Sequence, residues 1–154
     1  MNDLRAQFPV LERVAYLNAG TNGPIPRRAR EAAATALTLQ LENGRADGIF
    51  FEALMQNRDE LRARAAGLFG CDKAEVALTG ATTDGVNAVL SGLELQAGDE
   101  VLTSDEEHPG LSAPLAVARE RQDIELRVVP FDELVAEVRP TTKLVACSHV
   151  SWMT

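Results

Sequence analysis

The sequence is poor in the residues that usually announce chemistry. It has two cysteines, two histidines, one tryptophan and one tyrosine in 154 residues. Cys71 and Cys147 are far apart and lack CxxC spacing, so they form no disulfide framework and read as reduced, partly buried thiols. With His108 and His149 they offer no ligand spacing for zinc, and no metal is expected. Basic residues are also scarce: 15 Lys and Arg stand against 23 Asp and Glu, a net charge of −8. A surface for nucleic acid needs clustered cations, so nucleic acid is excluded as a partner. No apolar run approaches the ~18–20 residues that span a bilayer. The opening MNDLRAQFPVLERV mixes charged and apolar residues, as neither a signal peptide nor a transit peptide does. GxGxxG, Walker and GxSxG motifs are missing, which removes the common dinucleotide, nucleotide and serine-hydrolase readings. A cytoplasmic protein working on a small molecule, without a membrane partner, fits what is left.

Hydrophobic residues make up 45% and charged residues 25%, the balance of a folded globular chain. The pattern changes near residue 70, predicting an N-terminal loop and helical segment over 1–70 and a βαβ segment over 71–154. After a strand-like VAYL (14–17), three kinds of breaker in Asn18–Pro26 mark a loop. Pro26 suits the first turn of a helix running to Asn43, with Ala33, Leu37 and Leu41 stacked at spacing four and Gly44 as its stop. A second helix covers 48–69, with Phe51, Leu54, Met55, Leu61, Ala65, Leu68 and Phe69 near one face and Gly70 as its cap. Beyond it, strands are predicted at 75–80, 100–104, 124–129 and 143–151, with helices at 82–93, 110–121 and 131–138. This alternation implies right-handed crossovers and a parallel sheet. Ligands of such sheets gather at the carboxyl ends of the strands.

Three strand ends carry polar clusters. Thr79-Gly80-Ala81-Thr82-Thr83-Asp84-Gly85 is a small-residue turn feeding a helix N-terminus. Free N–H groups and the positive end of the helix dipole bind anions there, and Thr82 and Thr83 add hydroxyls. The alternative is that one threonine merely caps the helix. Ser104–Gly110 places His108 beside two carboxylates, where it is either a chemical group or a helix cap. Ser148–Thr154 follows the last strand.

Taken together, YLNAGTNGPIP (16–26), GATTDGVN (80–87), GDEVLTSDEEHPG (98–110) and TTKLVACSHVSWMT (141–154) resemble the N-terminal part of the class V aminotransferases. These are fold-type-I pyridoxal-phosphate enzymes that include cysteine desulfurases and isopenicillin N epimerase-like proteins. The resemblance implies an α/β fold: N-terminal helices, then part of the parallel-sheet large domain, incomplete at its C-terminal side. It implies pyridoxal 5′-phosphate as cofactor, a small amino-acid substrate and a homodimeric parent. The implied reaction is transamination, epimerisation or C–S cleavage. By the same resemblance Thr82 and Thr83 hold the cofactor phosphate, His108 stacks on its ring and assists proton movement, and Asn18 and Thr21 lie near the substrate mouth. Trp152 stands where desulfurases usually carry an asparagine, and it receives no role. The Schiff-base lysine is expected beyond the chain end, because neither Lys73 nor Lys143 matches its position. A catalytically dead phosphate-binding or interaction module is the alternative.

Overall fold

The structure, a computed structural model, describes residues 2–151; Trp152 lies outside the described residues. The chain falls into two compact units, Met1–Leu78 and Thr79–Thr154.

The first unit holds α1 (Asn2–Ala6), α2 (Arg27–Asn43) and α3 (Gly48–Phe69), with single 3-10 turns at Pro9–Glu12 and Lys73–Glu75. Helix α3 has complete local stop signals. The Asp47 side chain accepts from the Phe50 N–H at 2.8 Å, and Gly70 closes the helix in the left-handed region at φ 69°, where a side chain would be strained. The stripes read as core faces are not core within this unit. Helix α2 buries no residue and α3 buries only Ala66. Leu41, Leu68 and Phe69 are each more than 70% exposed. Periodicity shows that a face is apolar; it does not supply the surface that covers it.

Two predicted strands of this stretch are absent. Residues 14–17 are irregular, with the Tyr16 hydroxyl donating to the Asn22 carbonyl at 2.5 Å. Residues 76–79 carry no strand ladder among the described residues. Val76 is extended (φ −105°, ψ 117°), but the Arg62 Nε donates to its carbonyl at 2.9 Å. An extended preference becomes a strand only when a neighbour pairs with it.

The second unit is built on β1 (Glu100–Ser104), β2 (Glu125–Val129) and β3 (Thr142–Ala146), with α4 (Thr82–Gly92) and α5 (Pro109–Gln122). The sheet is parallel, in the order β2-β1-β3. Val101 faces Leu126 on one side and Leu144 on the other. These residues pack with Leu90, Leu115, Ala118 and Ile124 into the core beneath α4 and α5. Because side chains alternate, Glu100 and Leu102 face the opposite side. The β2–β3 connection returns over that side, as right-handed crossovers in opposite directions require. The helix predicted at 131–138 shrinks there to a 3-10 turn at Phe131–Glu133, since eight residues barely repay helix nucleation. The strand predicted at 143–151 ends at Ala146. Cys71 and Cys147 are both exposed free thiols rather than partly buried ones, each sitting just past the end of an element.

One ion cluster closes this second face. Glu100 is buried at 3% exposure, and Arg127 from β2 grips it twice, at 3.0 and 3.3 Å. Arg127 also donates to the Glu137 carboxylate at 2.6 Å and to the Glu137 carbonyl. The Thr142 hydroxyl of β3 donates to the same Glu100 carboxylate. A buried charge survives only when its lone pairs are met in this way. The Arg127 hydrogen bond, then that of Thr142, holds the Glu100 carboxyl below its ordinary value of 4.5. The unfolded chain therefore binds the proton more readily, so stability falls as pH drops through and below that ordinary value. Melting the chain from about pH 6 to about pH 3 is expected to lose stability steeply at the acid end. E100Q is expected to melt lower at neutral pH and to show a slope shallower by up to about one proton. Parallel slopes for the two proteins would contradict this.

Candidate functional site

Parallel strands all end on one side, so the loops after β1 and β3 emerge together, beside the start of α4. Helix α4 has Ala81 at its N-cap position and so no side-chain cap, unlike α3 and α5. The threonine-cap alternative is thus not what forms: Thr82 and Thr83 are the first two helical residues. The first N–H groups of α4 and the exposed Thr82 hydroxyl take no side-chain partner among the described residues. Orphan N–H groups at the positive end of a helix attract an anion. The acidic residue of that first turn is Asp84. Its Oδ2 lies 3.0 Å from where a Cβ on Gly80 would stand, so a side chain there would have to displace the Asp84 carboxylate.

His108 does cap a helix. Its Nδ1 accepts from the Gly110 N–H at 3.0 Å at the start of α5, and its carbonyl accepts from Leu111 at 2.8 Å. With Nδ1 as acceptor, the neutral ring carries its proton on Nε2. Capping fixes the ring's orientation while the side chain remains exposed, so the cap reading and the chemical reading coexist.

The two helix starts touch through one hydroxyl. Thr83 Oγ1 donates to the Gly110 carbonyl at 3.2 Å. That carbonyl is available because its helical partner four residues on is Pro114, inside α5, which has no N–H. A Cβ on Gly110 would stand 3.1 Å from Thr83 Oγ1 and 3.2 Å from His108 Nδ1, so glycine permits the approach.

Glu107 is the residue missed in the sequence. Its carboxylate accepts from the Ser104 hydroxyl at 2.5 Å, from the Ser148 hydroxyl at 2.6 Å and from the Ser148 N–H at 2.9 Å. A serine at each of two strand ends with an acid between them is a weak signal, visible only once the strands are known to be neighbours. Asn18 and Thr21 lie in the first unit, where the Thr21 hydroxyl donates to Asn18 Oδ1 at 2.8 Å. Lys73 is held by Asp59 at 3.0 Å in the first unit. Lys143 is exposed near the start of β3, at the other end of the sheet. Among the described residues no three His, Cys, Asp or Glu side chains could hold a metal ion, and no helix is long and apolar enough to cross a membrane. A cavity of about 680 Å³ lies in the first unit between α3 and residues 74–78. Of its polar lining, Asp59 and Arg62 are engaged with Lys73 and with backbone carbonyls.

A family model described as aminotransferase class V matches residues 15–154. A probable cysteine desulfurase of Methanothermobacter thermautotrophicus is 29% identical over 97% of this chain and 39% of its own length. Isopenicillin N epimerase of Streptomyces clavuligerus is 34% identical over 89% of this chain and 37% of its own. Among solved structures, a C-DES variant with glycine covalently linked to its PLP cofactor superposes with a TM-score of 0.89. It is 32% identical over 96% of this chain and 41% of that one. The cystine C-S lyase C-DES with its product cysteine persulfide gives 0.88, also at 32% identity, over 95% and 41%. The chain spans about 40% of the length of these proteins.

The bond between the helix starts depends on Pro114. Thr83→Val is expected to cost about 0.5–1.5 kcal/mol, the worth of one hydrogen bond. In a Pro114→Ala background the restored N–H satisfies the Gly110 carbonyl, and the cost is expected to fall toward zero. Chemical denaturation of the four proteins measures both, and an equal cost in the two backgrounds would refute the coupling.

Proposed function

This chain belongs to the class-V aminotransferase family, and on that premise we propose that it corresponds to the front part of a pyridoxal-phosphate enzyme acting on an amino acid. The likeness to C-DES, a desulfurase and an epimerase favours C–S cleavage or proton shuffling at the α-carbon. The observation that carries the reading is the juxtaposition of an uncapped helix start bearing two threonines with a second helix start headed by an oriented histidine.

The donor set fits a phosphate ester. The first N–H groups of α4 and the hydroxyls of Thr82 and Thr83 would hold the phosphate through charge-assisted bonds. His108, fixed at Nδ1 by Gly110, would lie against the pyridine ring and hold or move a proton at Nε2. When bound, the cofactor supplies an electron sink for the substrate's α-carbon. Asn18 and Thr21 would sit near the substrate mouth. In this reading the second unit is the leading portion of the cofactor-binding domain, a homodimeric parent completes the site, and the protein is cytoplasmic. Lys143 lies near the start of β3, away from the carboxyl ends of the strands, and is not expected to link the cofactor covalently.

Pyridoxamine 5′-phosphate tests the assignment, because its amine cannot condense with lysine. Its titration is expected to shift the amides of residues 81–85 and the His108 ring, whereas inorganic phosphate shifts only the amides. Replacing both Thr82 and Thr83 by alanine is expected to weaken binding about tenfold, or ~1.4 kcal/mol. Shifts confined to Arg27–Arg30, or equal affinity in the double variant, would overturn the reading.

A further inference from the structure

We infer that Glu107 is a positioning residue: its carboxylate fastens the loop bearing His108 to the loop that follows β3, and so sets where the His108 ring lies. The inference rests on the proposed role of His108, and the experiment below separates the two.

The β1–β3 ladder stops at Thr103 and Ala146, and beyond that pair the two chains are free to diverge. The Ser148 N–H would next need an acceptor, and a side chain supplies it: both Glu107 oxygens lie within 3.1 Å of that nitrogen. The Ser148 hydroxyl adds a second bond at 2.6 Å. On the β1 side the direction of bonding is fixed. Ser104 Oγ accepts from the Glu106 N–H at 3.3 Å, so its one proton goes to Glu107 at 2.5 Å. Serine donors and a backbone N–H therefore surround a half-buried carboxylate that makes no ion pair among the described residues. Such an arrangement asks for an acceptor at every position. A glutamine would turn its NH₂ toward a donor, and an aspartate would be one methylene short. His108 is the next residue, pinned from its other side by α5 through its ring and its carbonyl. Its backbone is thus held between the Glu107 clasp and the helix, and a proton-handling ring gains from being held still.

The test follows the His108 ring by ¹H–¹³C NMR in the full chain, in E107Q, in E107D and in S148A. S148A deletes a hydroxyl 41 residues along the chain from Glu107. The expected result is that E107Q displaces the His108 ring signal and the amides of 148–151 together. S148A displaces the same ring signal by less, and E107D restores part of the native position. A clasp of local consequence only would move Ser104 and Ser148 and leave the His108 ring untouched in all variants; that result overturns the inference. In a second arm E107Q is expected to lose about tenfold in affinity for pyridoxamine 5′-phosphate through misplacement of the ring, with its response to inorganic phosphate unchanged. Equal affinity for the pyridoxamine ester also counts against it. If the parent chain binds no pyridoxamine 5′-phosphate but its ring signal still moves in S148A, the positioning role stands and the cofactor reading falls. If E107Q does not fold, S148A decides alone.

Discussion

Strand β1 is clasped by a carboxylate at each end, and the second unit depends on those two clasps. Glu100, where the strand begins, is buried between Arg127 of β2 and Thr142 of β3. Glu107, just past its other end, holds Ser104 and Ser148. Between them every residue of β1 is buried. Parallel pairing alone leaves the exits of two strands free to spread. The second carboxylate removes that freedom where ligands of open sheets bind. The two clasps differ in kind. Glu100 trades its solvation for a guanidinium and is a device of stability that acid undoes. Glu107 is met by neutral donors and acts on geometry.

The α4–α5 contact follows a similar logic. Pro114 costs α5 an internal hydrogen bond, and the Gly110 carbonyl so released accepts from Thr83 instead. A local defect in one helix becomes the link to its neighbour. Pro114 is itself buried, so its ring adds to the packing while its missing N–H shapes the site. With α4 uncapped and α5 capped by a histidine, adjacent helix starts offer different things: one presents open donors, the other an oriented ring.

Elements with complete local signals were legible in the sequence. Helix α3 has its Asp47 cap, its left-handed Gly70 and the predicted bounds, and β1 spans the predicted EVLTS. Elements defined by a partner were not. Residues 76–79 have the composition of a strand, but Arg62 rather than a neighbouring chain takes a carbonyl. The stripes of α2 and α3 are apolar by pattern yet exposed within their unit. The site divides the same way. His108 follows from the rule that chemistry sits at strand ends, which needs only the order of elements; Thr82 and Thr83 follow residues 76–79, which form no strand, and are legible only as a helix start. Glu107 is paired with Ser148, 41 residues away, and the Gly110 carbonyl that Pro114 releases is paired with Thr83, 27 residues away. No spacing rule reaches such pairs before the sheet order is known.

The central claim is that one ligand meets both helix starts at the carboxyl ends of the strands. Intermolecular nuclear Overhauser effects between pyridoxamine 5′-phosphate and the isotope-labelled chain address it most directly. The expected result is contact between the ligand's pyridine methyl protons and the His108 ring, with the phosphate end near the amides of Thr82 and Thr83. Contacts instead to Met55, Gln56 or Leu78, which line the cavity of the first unit, would show that the ligand prefers that cavity and that the strand-end assembly is not its site.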